Sequence, residues 1–294
     1  MKIAFGIIVL NGNYVLKQVL DSIYPYANQI LIAEGAVSYW QEQGIKTSSD
    51  GTNELIDNYP DPDNKIKIVH GQYKEKDEQC QAYMQYLTPD NDYIWNIDSD
   101  EVFKPEDIER IIELLEKENY TSVGFKSYSF YGGFDRIISG FEEKHEFKRI
   151  HRIYPGSYWK THRPPTIAHQ PNVKALPKKH LGHDKLAYKY GIRMYHYSYV
   201  FPDQVKQKID YYKAAVSKDN CIDNYFKKIY FPWVMGDEMT RFYIEKTYEG
   251  VHEFKVSYRK EARTRSFDEE HPQVILDSMT ELKAKFHEQL KKYV

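Results

Sequence analysis

Cysteine is scarce in this 294-residue chain: Cys80 and Cys221 stand far apart, with no Cys-x-x-Cys pair. That argues against a disulfide framework and against a thiolate zinc knuckle, and a reducing, cytoplasmic compartment is expected. Long apolar runs are missing as well. The longest, IAFGIIVL at residues 3–10, is far too short to span a bilayer, and NGN follows it where a signal peptide would carry a small-residue cleavage site. It reads as a buried strand. Net charge is close to zero, at −2 with a pI near 6.6, so no global field marks a nucleic-acid or membrane binder. Internal repeats and low-complexity tracts are absent. Tyrosine, in contrast, is abundant at 27 residues. This suits a carbohydrate-stacking surface or, more plainly, an aromatic core with hydrogen-bonded hydroxyls.

The first 130 residues alternate strand-like and helix-like runs. The apolar run 3–10 ends at the turn signal Asn11-Gly12-Asn13. Val15, Leu16, Val19, Leu20 and Ile23 then share one helical face until Pro25. QILIA at 29–33, KIKIV at 65–69, DYIWNI at 92–97 and TSVGFKSYSFY at 121–131 read as strands, with helices over 76–87 and from Pro105 onward. Such alternation predicts a mainly parallel sheet covered by helices. Ligands of these sheets sit at the carboxyl ends of the strands, which directs attention to Asn11, Glu34, Asp98 and Asp100. Beyond residue 131 the alternation stops: a loop-rich stretch follows, then helical patterns from Pro202.

Asp98-Ser99-Asp100 leaves a strand of strongly buried character. Two carboxylates two residues apart can turn into one cleft there, and hard oxygen ligands suit Mn²⁺ or Mg²⁺. The same residues would serve an acidic turn before the Pro105 helix.

Several blocks in order resemble glycosyltransferase family 2 enzymes of the GT-A fold. IVLNGNYVLKQVLDSIYPYANQILIAEGA is similar to the family's opening strand, helix and second strand ending in an acidic residue. SSDGTNELI resembles its Ser-x-Asp-Gly-Thr helix start, here after an insertion at residues 37–47. KEKDEQCQAYM resembles its nucleotide-contacting helix, and NIDSDEVF its metal segment. The resemblance implies a Rossmann-like mixed, mainly parallel α/β sheet flanked by helices, with a helical C-terminal extension. The parts would be a nucleotide-sugar-binding half at 1–131, acceptor-side loops and closing strands at 132–200, and a helical region at 201–294. It further implies a hexosyl transfer from a nucleoside diphosphate sugar, UDP favoured, with inversion. Leu10, Asn11, Glu34, Lys76, Gln79, Asp98 and Ser99 would contact the donor. Asp98, Asp100 and His196 would hold Mn²⁺ or Mg²⁺, the imidazole favouring manganese.

Residues 145–193 hold eleven Lys and Arg against Glu146 and Asp184, with six histidines interleaved. A local excess of nine positive charges would attract a polyanion. Within it Trp159, His162 and Arg163 suit an acceptor sugar or nucleobase. The acceptor is expected to be a glycan or another hydroxyl compound, hydroxymethylated DNA included. The catalytic base should come from beyond residue 131, where Asp184 and Asp135 offer carboxylates. Two other readings stand beside this one. A sugar nucleotidyltransferase would need a glycine-rich phosphate loop, which NGNYVLKQ does not provide. A non-catalytic nucleic-acid or carbohydrate-binding protein would be built on the basic aromatic segment.

Overall fold

The apolar run near the N-terminus forms the central strand β1 (Ile3–Val9), buried almost throughout. Gly6 within it leaves room for the Tyr83 ring, since a Cβ there would lie 2.6 Å from Tyr83 Cζ. The computed structural model describes residues 1–216 and 219–294. The chain divides into two units, Met1–Phe125 with Glu146–Arg193, and Lys126–His145 with Met194–Val294. These boundaries differ from the expected ones at 131 and 200. The run 121–131 is not one strand: it breaks at Lys126 into Ser122–Phe125 and Ser127–Tyr131, one in each unit. An unbroken apolar pattern carries no mark of such a change of sheet.

In the first unit, helix α1 (Leu16–Ile23) leads to β2 (Gln29–Glu34), and α2 (Thr52–Asp57) leads to β3 (Ile66–His70). Helix α3 (Lys76–Met84) precedes β4 (Tyr93–Asp98), and α4 (Pro105–Glu118) precedes β5 (Ser122–Phe125). Strand β6 (Phe147–Arg152), the hairpin β7 (Tyr158–His162) and β8 (Pro165–Ala168), short β9 (His180–Leu181) and helix α5 (His183–Tyr190) complete the unit. The sheet order is β9-β5-β6-β4-β1-β2-β3. Strands β4, β1, β2 and β3 are parallel, and β6 lies antiparallel between β4 and β5. Trp95 of β4 stacks between Phe5 at 5.2 Å and Phe125 at 5.6 Å, tying three strands on one face. The mixed, mainly parallel sheet flanked by helices is the expected α/β class.

In the second unit, Thr264–Ser266, Arg136–Ile138, Ser127–Tyr131 and Met194–Tyr199 lie side by side in that order. Helices Pro202–Tyr211, Glu238–Thr247 and Gln273–Lys291 supply the expected helical C-terminal part. Its core is rich in aromatic residues: Tyr131, Tyr199, Tyr225, Tyr230 and Trp233 pack together. Their polar tips are satisfied, with Tyr131 and Tyr225 hydroxyls 3.0 Å apart and Trp233 Nε1 donating to Glu245 at 2.9 Å. Many tyrosines are therefore core residues, the plainer of the two readings of their number. Among the described residues no helix is long and apolar enough to cross a membrane.

Candidate functional site

The carboxyl ends of the parallel strands β1, β2 and β4 carry the polar residues singled out above. Asn11, in a left-handed turn at φ 52°, donates its backbone N–H to Ser48 Oγ at 2.8 Å. Its side-chain oxygen accepts the N–H of Ser49, also at 2.8 Å. Leu10 closes the same strand, half-buried. From the end of β2, the buried Glu34 carboxylate accepts Ser48 N–H at 2.7 Å and the Thr47 hydroxyl at 3.0 Å. His70 Nδ1 lies 3.1 Å from its other oxygen. Burial pushes the Glu34 pKa up, but the hydrogen bonds from His70, Ser48 and Thr47 outweigh it and hold the group below its usual range. Asp50 then accepts Asn13 N–H at 2.9 Å and caps Thr52, whose hydroxyl accepts Gly12 N–H at 2.9 Å. The insertion at 37–47 thus returns SSDGT to the ends of β1 and β2.

At the end of β4, Asp98, Ser99 and Asp100 form a half-buried turn. Ser99 lies against Gly12, where an added Cβ would come within 2.9 Å of Ser99 Oγ. Asp98 Oδ2 accepts from Arg149 Nη2 at 2.7 Å. Arg149 also holds the fully buried Glu101 through Nε at 3.1 Å and through Nη2. Glu101 Oε2 in turn accepts Asp98 N–H at 3.1 Å. Burial works against the Arg149 charge, yet Asp98 and Glu101 raise its pKa above the ordinary arginine value. Strand geometry explains the meeting. Trp95 pairs with Ile150 across the antiparallel β4–β6 ladder, so the next step places Arg149 beside Asn96, on the face that Asp98 also uses. Neither Arg149 nor Glu101 stands out in the sequence; only the register of β6 reveals them.

Gln79 and the aromatic segment have different surroundings from those expected. Gln79 is buried, and its Nε2 donates to Ala33 O at 2.9 Å and Gly35 O at 3.2 Å, tying α3 to the strand end beside it. Lys76 opens the same helix, half-buried. Trp159 is 5% exposed, with Nε1 donating to Tyr83 Oη at 2.9 Å and its backbone N–H to Gln81 at 2.8 Å. His162 donates its backbone N–H to Asp77, and its ring lies 3.6 Å from Cys80 Sγ. Burial holds the His162 imidazole neutral, its pKa pushed down to about 3, and pushes the Cys80 thiol up to about 12. Trp159 and His162 therefore dock the hairpin on α3, and their burial lends no support to the acceptor role. Arg163, at the tip of the hairpin, is exposed.

The basic segment is less of a patch than its composition implies. Arg149 is spent on Asp98 and Glu101, Arg152 donates to Tyr93 Oη at 3.0 Å, and Lys185 donates to Tyr120 Oη at 2.8 Å. Lys179 pairs with Glu118 at 2.8 Å. A count along the sequence cannot see partners that lie outside the counted window. Asp184 is exposed at the start of α5, after the edge strand β9. That edge strand lies three places from β4 in the sheet. In the second unit, His196 sits buried on the strand Met194–Tyr199, and Asp135 is exposed in the loop after Ser127–Tyr131.

Residues 46–168 match the model of glycosyl transferase family 2. No curated protein matches the chain. Among solved structures, TarS from S. aureus is similar at 12% identity and a TM-score of 0.35, over 52% of this chain and 47% of that one. Glucosyl-3-phosphoglycerate synthase from Mycobacterium tuberculosis, in complex with Mn²⁺ and UDP-glucose, is similar at 19% identity and a TM-score of 0.30, over 44% of this chain and 43% of that one. The chain thus spans under half the length of either. Residues 46–168, which run from before β3 to the end of β8 in this mixed, mainly parallel sheet, are thus similar to glycosyl transferase family 2.

Proposed function

We propose that the protein transfers a hexosyl group from a nucleoside diphosphate sugar, UDP-sugar favoured, to a hydroxyl of a glycan acceptor, with inversion and with a divalent cation. The observation that carries this reading is the half-buried Asp98-Ser99-Asp100 turn at the carboxyl end of β4, next to the loop that Asn11 and Glu34 hold in place. Two carboxylates on one turn form a donor set suited to Mn²⁺ or Mg²⁺, and Asp98 and Asp100 are the proposed ligands. When bound, such a cation supplies charge stabilisation for the departing diphosphate. The chain's own groups do the rest. Leu10, Asn11 and the 47–52 loop border the nucleoside, with Glu34 acting through that loop; Ser99 and Lys76 face the phosphates and sugar. Arg163 at the exposed hairpin tip contacts the acceptor. Asp135 takes the proton from the acceptor hydroxyl as that oxygen attacks the anomeric carbon and the nucleoside diphosphate leaves. Two free, buried cysteines suit a reducing, cytoplasmic setting.

The test is a titration of UDP and GDP into the protein with Mn²⁺, alongside hydrolysis of UDP-, GDP- and dTDP-sugars. Mn²⁺-dependent nucleotide binding that Asp100→Ala abolishes is expected. Binding that survives the change intact defeats the metal-bridged reading.

A further inference from the structure

Charge is concentrated at the Asp98 turn in an unusual way. Asp98, Asp100 and Glu101 place three carboxylates within four residues, and Glu101 is wholly buried. The Arg149 guanidinium pairs with two of them. The Arg149 side chain is 6% exposed and its fork reaches Asp98 and Glu101 together. A buried pair of this kind gains little stability over apolar packing of the same volume, because both charges must be stripped of water. Its geometry, however, fixes Asp98 twice over. The carboxylate is held through Oδ2 by Arg149 and the backbone N–H by Glu101 Oε2. Lysine has no planar fork and could not hold both carboxylates in one plane.

We propose that Arg149, backed by Glu101, is a positioning residue for the cation site. It commits one Asp98 oxygen, Oδ2, to the guanidinium, so that Asp98 serves a cation as a one-oxygen ligand. The buried cation also offsets the mutual repulsion of the carboxylates, so the ligands keep their arrangement before a metal arrives. This inference rests on the metal-dependent reading of the same turn.

The test uses the full chain and Mn²⁺ alone, following the loss of the free-ion electron paramagnetic resonance signal, with thermal melts on the same samples. Arg149→Lys keeps the positive charge and loses the fork. It is expected to weaken Mn²⁺ affinity about tenfold or more while the protein still melts cooperatively. A purely structural brace would lower the melting temperature and leave the affinity of the folded protein unchanged; that outcome overturns the proposal. Should Arg149→Lys not fold, Glu101→Gln serves, since it keeps the shape but removes the charge behind the guanidinium. The same weakening is expected there, and wild-type affinity again overturns it. If the wild-type protein itself leaves the Mn²⁺ signal untouched, the metal reading falls and this inference with it. Normal binding by the wild type and by Arg149→Lys removes only the positioning role.

Discussion

Glu34 and Ser48, fourteen residues apart, meet through a 2.7 Å hydrogen bond from the Ser48 N–H to a carboxylate that is 1% exposed. This contact anchors the loop following the 37–47 insertion, and the Thr47 hydroxyl and His70 share the same carboxylate. Glu34→Ala should cost about 1.5–3 kcal/mol, the range for losing hydrogen bonds to a charged group. A denaturant melt reads the loss, and nucleotide affinity should fall with it as the loop loosens. Because the folded pKa is depressed, this contribution is present above the ordinary value of 4.5 and is lost as pH falls below it. An unchanged melt in Glu34→Ala would mean that the contacts of Asn11, Gly12 and Asn13 suffice to hold the loop.

Gly35 follows Glu34 with φ at +140°, and a Cβ there would lie 1.8 Å from the Gly71 carbonyl oxygen. The clash is with backbone, whose own N–H binds Glu34 O at 3.0 Å. No rotamer change relieves it. Gly35→Ala should therefore destabilise by about 2 kcal/mol or more, through both the backbone conformation and overpacking. Melting temperatures of Gly35→Ala and of Gly44→Ala make a direct comparison. Gly44 also has a positive φ but open space around it, so its loss should be smaller.

Trp159 separates a structural role from a ligand-stacking one. Trp159→Phe keeps an aromatic ring but leaves the buried Tyr83 hydroxyl without its 2.9 Å donor. A loss of about 1–3 kcal/mol is expected from that unmet group. Acceptor KM should stay as in the wild type once the protein is folded. A raised KM with unchanged stability would restore the sugar-stacking role.

These cases mark how far the sequence alone could be read. The parallel strands were legible because each is a short, continuous apolar run, as in Ile3–Val9 and Tyr93–Asp98. Asn11, Glu34 and Asp98 were legible because strand ends are where such sheets expose polar groups. Arg149 was not, since an arginine in the alternating FKRIHR has no visible partner until the register of β6 against β4 is known. The burial of Trp159 and His162 was hidden for a related reason. An aromatic and cationic stretch has the same composition whether its rings face a ligand or, as here, the helix beneath. The break at Lys126 was hidden too, because both halves of 121–131 are apolar enough to be one strand.

Glu146 offers the clearest test by pH. One oxygen, Oε1, lies 2.9 Å from both His180 Nε2 and His183 Nδ1 and also accepts the His183 N–H. Burial raises its pKa, but the hydrogen bonds from the two imidazoles outweigh this and bring it from 4.5 down to about 2. A depressed carboxylate stabilises the fold above its unfolded pKa and stops doing so as pH falls through the folded one. The contribution should therefore be complete above pH 4.5 and disappear progressively toward pH 2. Glu146→Gln keeps the shape, loses the charge and should destabilise by about 1–3 kcal/mol at neutral pH. Below pH 2 the two proteins should converge in stability, because the wild-type group is then neutral as well. Urea melts of both, run from pH 2 to pH 7, measure the difference directly. A gap between the two that stays constant across this range would show that shape, and not charge, is what Glu146 contributes at the β9–α5 corner.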